Sequence, residues 1–221
     1  MTHANASRLV LLGLLLFSIV AHSQSITRVA VKETGCSYTV GRSTTQCSLA
    51  PGMTLIITGK NLGQPGIVKL CDCGPAQIQT WTASKIVAQV EYVTPNAAVA
   101  VETITGAWSN SVPYVALAPV ITSIDVGTCT FVANQSTKQC VILPGAEITI
   151  HGKYFGRGGQ VATCDCASAT IISWDPDWTT HASPYNDTIV ATATDAVCGS
   201  SVSVEVMGVW SNPVPYTTCG Y

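Results

Sequence analysis

Cysteine is the residue type with the most chemistry to offer in this sequence, and there are ten of them. Eight fall into two sets with one spacing, C-x10-C-x23-C-x-C: Cys36, Cys47, Cys71 and Cys73, then Cys129, Cys140, Cys164 and Cys166. Cys198 and Cys219 stand outside the sets. Four thiolates could hold zinc, but structural zinc sites use knuckles with two or more residues between the cysteines. A redox centre would need C-x-x-C at a helix start, and no helical period runs through either set. Repetition of the set points to structural disulfides involving all ten cysteines, with no metal and no cofactor. Cys198 and Cys219 flank the last hairpin nearly symmetrically and are expected to pair. Within each set the pairing is open. Bonding Cys36 to Cys47 across a hairpin that turns at Gly41-Arg42 leaves Cys71 to Cys73, a tight and strained ring. Alternatively, both hairpin cysteines bridge to the C-x-C strand, because residues i and i+2 of a strand share a face. The second pairing is the expectation adopted.

The other groups with chemical potential are fewer. GKYFGRGG, from Gly152 to Gly159, has neither the order of a phosphate-binding loop nor a following helix, and reads as a strand-ending turn. His151 stands alone at a strand end. The densest group of polar and aromatic side chains is DPDWTTHASPYNDT, holding Asp175, Asp177, Trp178, His181, Tyr185, Asn186 and Asp187. Aromatics beside carboxylates and amides suit carbohydrate recognition, and the carboxylates could hold Ca2+. A glycosidase needs two carboxyl groups facing each other across a cleft, which two acids in one short loop do not provide. No Ser-His-Asp set stands out, so the sequence predicts no catalytic residue. Trp81, Trp108, Trp174 and Trp210 are expected to pack in the core or in hairpins, with exposed stacking platforms as the alternative.

The elements that must position these groups are revealed by self-similarity. Cys36, Pro51-Gly52, Gly59-Lys60, Cys71-Asp72-Cys73 and Trp81 all recur 93 residues later. The register then jumps by ten, pairing Ile86-Val87-Ala88 with Ile189-Val190-Ala191. The jump falls between Trp174 and Ile189, so the polar-aromatic loop is an insertion that the first copy lacks. Loops on rigid scaffolds are where binding residues collect. Each copy alternates apolar and polar residues in short runs. Leu55, Ile57, Val99 and Val101, and Ile148, Ile150, Val202 and Val204, are the expected inward positions. Turn residues separate the runs. The fold class expected is all-β: two tandem immunoglobulin-like β-sandwich domains, at 24–117 and 118–221.

The ordered set in each copy is I-T-x-I/V, then P-G-x-x-I/L-x-I-x-G-K-x-F/L-G, and last W-S-N-x-V-P-Y. It resembles the IPT/TIG family, the immunoglobulin-like fold shared by plexins and transcription factors. The resemblance covers nearly the whole chain after the leader, twice; the cysteines are not part of the general family pattern and suggest a secreted, bacterial-type subgroup. It implies binding, adhesion or spacing in place of catalysis.

Composition narrows the partners. Lys plus Arg total 10 without clustering, and the formal net charge is −2. No basic stripe exists to release counterions from nucleic acid. Residues 1–23 read as a signal peptide: Arg8, the apolar run Leu9 to Val20, then Ala21-His22-Ser23 before Gln24. Twelve apolar residues are too few to span a bilayer, where about 20 are needed, and no membrane span is expected in the mature chain. The sequence therefore predicts a secreted, extracellular or periplasmic protein, or one associated with the cell surface. Its expected role is non-catalytic binding or adhesion with an extracellular glycan or protein; a spacer without a ligand is the alternative.

Overall fold

A computed structural model describes residues 23–164, 167–176 and 186–217. The signal segment and most of the inserted loop therefore lie outside the described residues. The chain is built of strands: β1 (Ser25–Val31), β2 (Ser37–Thr39), β3 (Ser48–Leu49), β4 (Thr54–Lys60), β5 (Ile67–Cys71), β6 (Gly74–Pro75), β7 (Gln77–Trp81), β8 (Lys85–Gln89), β9 (Ala98–Glu102), β10 (Val112–Pro113) and β11 (Val115–Ala116). These are followed by β12 (Val120–Val126), β13 (Cys129–Val132), β14 (Glu147–Lys153), β15 (Gln160–Cys164), β16 (Ala167–Ser168), β17 (Thr170–Asp175), β18 (Asp187–Thr192), β19 (Ser201–Val206), β20 (Val209–Trp210) and β21 (Val214–Pro215).

The same topology is written twice. In the first half one sheet has the order β2-β1-β4-β8-β7 and a second has β10-β9-β5-β6. In the second half the orders are β13-β12-β14-β18-β17 and β16-β15-β19-β20, with β21 on β19. Stripped of the short flanking strands, this is the A-B-E-D and C-F-G arrangement of an immunoglobulin-like sandwich. Alternation does the sorting: β4 and β14 bury every second residue, and so do β9 and β19. Leu55, Ile57, Val99, Val101, Ile148, Ile150, Val202 and Val204 are all buried, as their alternation predicts. The buried apolar residues form two cores that share no member, one drawn from Ile26 to Tyr114 and one from Ile121 to Tyr216.

The pairing of the cysteines differs from the adopted expectation. Cys36 bonds Cys47, and Cys129 bonds Cys140, each across 11 residues of sequence. Cys71 bonds Cys73. The expectation failed because the strand does not run through C-x-C. β5 ends at Cys71, Asp72 and Cys73 form a turn, and Gly74 begins β6 on the return path. Two residues on opposite sides of a turn do not share a strand face, so they cannot both aim at the hairpin. Cys164 and Cys198 are also disulfide-bonded. Cys166 and Cys219 lie outside the described residues, and with them the expected Cys198–Cys219 pair.

Candidate functional site

The motif W-S-N-x-V-P-Y separates cleanly into scaffold and remainder. The Ser109 hydroxyl accepts a hydrogen bond from Val101 N at 3.0 Å, and the Ser211 hydroxyl accepts one from Val204 N at 2.9 Å. Asn110 clasps the first strand: its Oδ1 accepts from Ile26 N at 2.7 Å and its Nδ2 donates to Ile26 O at 3.1 Å. Asn212 holds Ile121 in the same way, at 2.8 Å and 3.1 Å. Val112 and Val214 are buried. The Tyr114 hydroxyl reaches β5, two strands from β10 in the same sheet, donating to Leu70 O at 2.8 Å and accepting from Thr94 N at 3.3 Å. Tyr216 repeats this, donating to Thr163 O and accepting from Val197 N at 3.3 Å. The tryptophan pairs by its backbone, with Glu102 in the first copy and Glu205 in the second, but its large apolar side chain is left half in solvent. Trp108 is 47% exposed and Trp210 48%.

The other repeated tryptophans are accounted for. Trp81 Nε1 donates to Leu62 O at 3.3 Å. Trp174 Nε1 donates to Gly156 O at 2.9 Å, and its ring meets Phe155 edge to face at 6.3 Å. Core and hairpin packing is therefore the role of this pair, while Trp108 and Trp210 are left half-exposed.

Each exposed Trp borders a concave surface on the outer face of its sheet. Trp108 bridges Glu102, and Lys69 pairs with Ala100, so these four positions and Ala98 point away from the core. The first surface is lined by Trp108, Lys69, Asp72, Asn96, Ala98 and Ala100, among others. The second holds the equivalents Trp210, Ala162, Ser201 and Ser203, with Gln160 and Ser168 beside them. Small residues on the two central strands leave a trough, and the indole forms one wall. The two troughs differ in charge. Lys69 Nζ sits 5.8 Å from the Trp108 ring centre and 2.5 Å from Asp72 Oδ1. The hydrogen bond and charge of Lys69 hold the Asp72 carboxyl below the usual carboxylate range. Among the described residues, the lining of the second trough carries hydroxyls and an amide and no charged group.

The inserted loop is only partly visible. Asp177, Trp178, His181 and Tyr185 lie outside the described residues. Asp175 ends β17 and is exposed, and Asn186 is exposed. Asp187 is buried, and its Oδ2 accepts a hydrogen bond from Phe155 N at 2.8 Å. The loop thus leaves and rejoins the scaffold beside the Phe155 turn, on the sheet that does not carry Trp210. His151 is not alone. Its Nε2 lies 2.9 Å from Asp125 Oδ2, and its Nδ1 lies 3.4 Å from the Thr188 hydroxyl. The order hydroxyl-imidazole-carboxylate resembles a nucleophile triad, yet it lies across three adjacent strands on an open sheet face. The Thr130 hydroxyl donates to Asp125 at 2.6 Å, which holds that carboxyl low. Among the described residues no group of three His, Cys, Asp or Glu is placed to hold a metal, and no helix is long and apolar enough to cross a membrane.

No family model matches the chain, and no curated protein matches it. Several solved structures do. A surface glycan-binding protein from Prevotella bryantii is 15% identical over 89% of this chain and 42% of its own, with a TM-score of 0.41. SGBP-B from a complex xyloglucan utilization locus in Bacteroides uniformis is 17% identical over 89% of this chain and 49% of its own, with a TM-score of 0.32. The plexin A4 extracellular region is 14% identical over 88% of this chain and 18% of its own, with a TM-score of 0.31. The chain thus spans less than half the length of each. At these scores the likeness is one of general strand arrangement.

Proposed function

We propose that the chain is a non-catalytic binding protein of the cell exterior, whose ligand is carbohydrate and whose ligand-facing groups are Trp108 and Trp210. One observation carries this reading. In a motif present twice, Ser, Asn, Val and Tyr all serve the scaffold, and the largest apolar side chain is left half in water both times. An indole of that size favours burial, so its repeated exposure calls for a partner that covers it. The neighbouring groups fit a sugar. Ring C–H groups stack on the indole, and the Ser201, Ser203, Ser168 and Gln160 side chains offer both donors and acceptors to hydroxyls. A trough open along the sheet accommodates a chain of units, as opposed to one enclosed molecule. The IPT/TIG resemblance and the leader support an exterior binding role. Among the described residues, no convergent set of acid, base and nucleophile lines either trough.

The test is a glycan array with the mature chain, followed by titration of a retained glycan against Trp108→Ala, Trp210→Ala and the double variant. Each single change is expected to weaken binding about tenfold or more, which is about 1.4 kcal/mol, and the double to abolish it. Both side chains are exposed, so melting temperatures should stay within about 2 °C. Deleting residues 177–185 from the otherwise unchanged chain tests Trp178 and Tyr185 separately. It is expected to weaken binding less than either tryptophan change, because the loop leaves the scaffold on the sheet that does not carry Trp210. An array with no retained glycan, or a double variant that binds as well as wild type, overturns the reading.

A further inference from the structure

The junction between the two halves shows which surfaces of this repeat fit together. The turn after β14 meets the turn before β4. Tyr154 packs on the first core. A Cβ built on Gly156 would lie 3.2 Å from Pro51 Cγ, and Arg157 pairs with Glu91 at 2.8 Å. Ala50, Pro51, Gly52 and Met53 are consequently all buried. Call the turn after the G-K strand the head of a copy, and the segment before it the tail. Inside the chain, the head of the second copy covers the tail of the first.

Among the described residues the remaining head and tail are exposed, and they complement each other. On the tail of the second copy, Val141 and Leu143 stand where the first copy has Ser48 and Ala50. Val141 is 43% exposed and Leu143 54%, and Pro144 and Gly145 are exposed with them. Solvent exposure alone would favour the smaller and more polar pair here, and the sequence does the reverse. Size is allotted inversely: inside the chain a large head residue, Tyr154, meets a tail of small residues, whereas the free ends have Asn61 on the head and Leu143 on the tail. Charge is complementary as well. Asp125 and Glu147 line the concave surface beside Val141 and Leu143, where the first copy has the neutral Ala30 and Thr54. The free head presents Lys60, exposed.

We infer that the Val141–Leu143 surface docks the Lys60–Gln64 turn of a second copy of this chain, giving a head-to-tail association that is open at both ends. The contact joins different patches on the two molecules, so it does not close on itself and can extend. It repeats between chains the fit that the structure shows within one.

The experiment is sedimentation velocity on the mature chain from about 10 μM to about 1 mM. The average mass is expected to rise with concentration and to pass twice the monomer. Leu143→Glu, an exposed position, should shift the curve at least about tenfold in concentration while leaving the melting temperature unchanged. Gln64→Arg with Thr194→Glu transplants the Arg157–Glu91 pair to the free ends and should tighten association about two- to fivefold at low salt. A monomer at every concentration in both wild type and this paired variant overturns the inference. So does a mass that stops at a closed dimer, or an association that Leu143→Glu leaves intact. No glycan is present in the assay, and Trp108→Ala with Trp210→Ala should associate as wild type does, so this result stands apart from the binding one.

Discussion

The hydroxyl of Tyr114 does work that no apolar residue could replace. It lies in the core, satisfies Leu70 O and Thr94 N, and so ties one edge of the sandwich to a loop 20 residues away. Tyr114→Phe keeps the ring and orphans both backbone groups, which costs about 1–3 kcal/mol. The expected readout is an unfolding midpoint lowered by about 2–8 °C in a thermal melt. The sign of the pH effect follows from the same burial. Desolvation raises the Tyr114 pKa, outweighing the hydrogen bond from Thr94. A raised folded pKa means that its stabilisation is fully present below the unfolded value, about 10, and fades as pH climbs above it. Wild type should lose stability above about pH 10 more steeply than Tyr114→Phe; equal slopes in urea titrations at pH 9 and pH 11 would contradict this. The sequence shows that Tyr recurs beside V-P, but not that its hydroxyl reaches β5, because the acceptor lies 44 residues away. The same separation hid the site. Ser109 and Asn110 look like turn residues, and only the positions of Val101 and Ile26 show that they are clasps, whereas the Trp108 ring lies outside the core.

Strands were legible wherever alternation was strict, and illegible where chain direction changed. β4, β9, β14 and β19 follow the period of two and lie where the pattern places them. C-x-C defeated the same rule, because period-two logic assumes a continuous strand and Asp72 sits in a turn. The G-K step was legible as a strand end but not as a close approach. β1 and β12 each bulge opposite it, between Ile26 and Arg28 and between Ile121 and Ser123. A Cβ on Gly152 would lie 2.2 Å from Val120 O and 2.2 Å from the Phe155 ring, and one on Gly59 would lie 2.3 Å from Ser25 O. Both glycines are therefore required by the neighbouring strand and not by turn conformation. Gly152→Ala must spread β12 from β14 and is expected to cost about 2–3 kcal/mol in urea unfolding. Gly158→Ala meets nothing within 4 Å, so it is the matched control with a change of less than about 1 kcal/mol.

At the scale of the whole molecule, we propose that 24–117 and 118–221 fold as separate domains coupled by one contact. Each half owns a core, and strand pairing stays within each half. The repeat made this division readable from sequence, but the contact between halves was not, since no spacing rule relates Tyr154 to Pro51. Its cost is visible at Tyr154 itself, which holds φ 67°, in the left-handed region. Asn61, the matching residue in the first copy, has φ 55°. Asparagine tolerates that conformation, whereas a bulky aromatic there costs about 1–2 kcal/mol. The strain persists because the ring packs, partly buried, against the core of the other half. Tyr154→Asn should therefore change sign with context. In 118–221 alone, where nothing covers the ring, it relieves backbone strain and should raise stability by about 0.5–1 kcal/mol. In the full chain it also removes the packing on the first core, and should lower the stability of both halves by about 1–2 kcal/mol. Binding free energy between domains is reciprocal, so the first half must lose stability although its own sequence is unchanged. Urea unfolding of the full chain and of 118–221, with and without the substitution, gives the four values. A substitution that acts in the same direction in both contexts would mean that Tyr154 serves its own turn and that the halves are merely tethered.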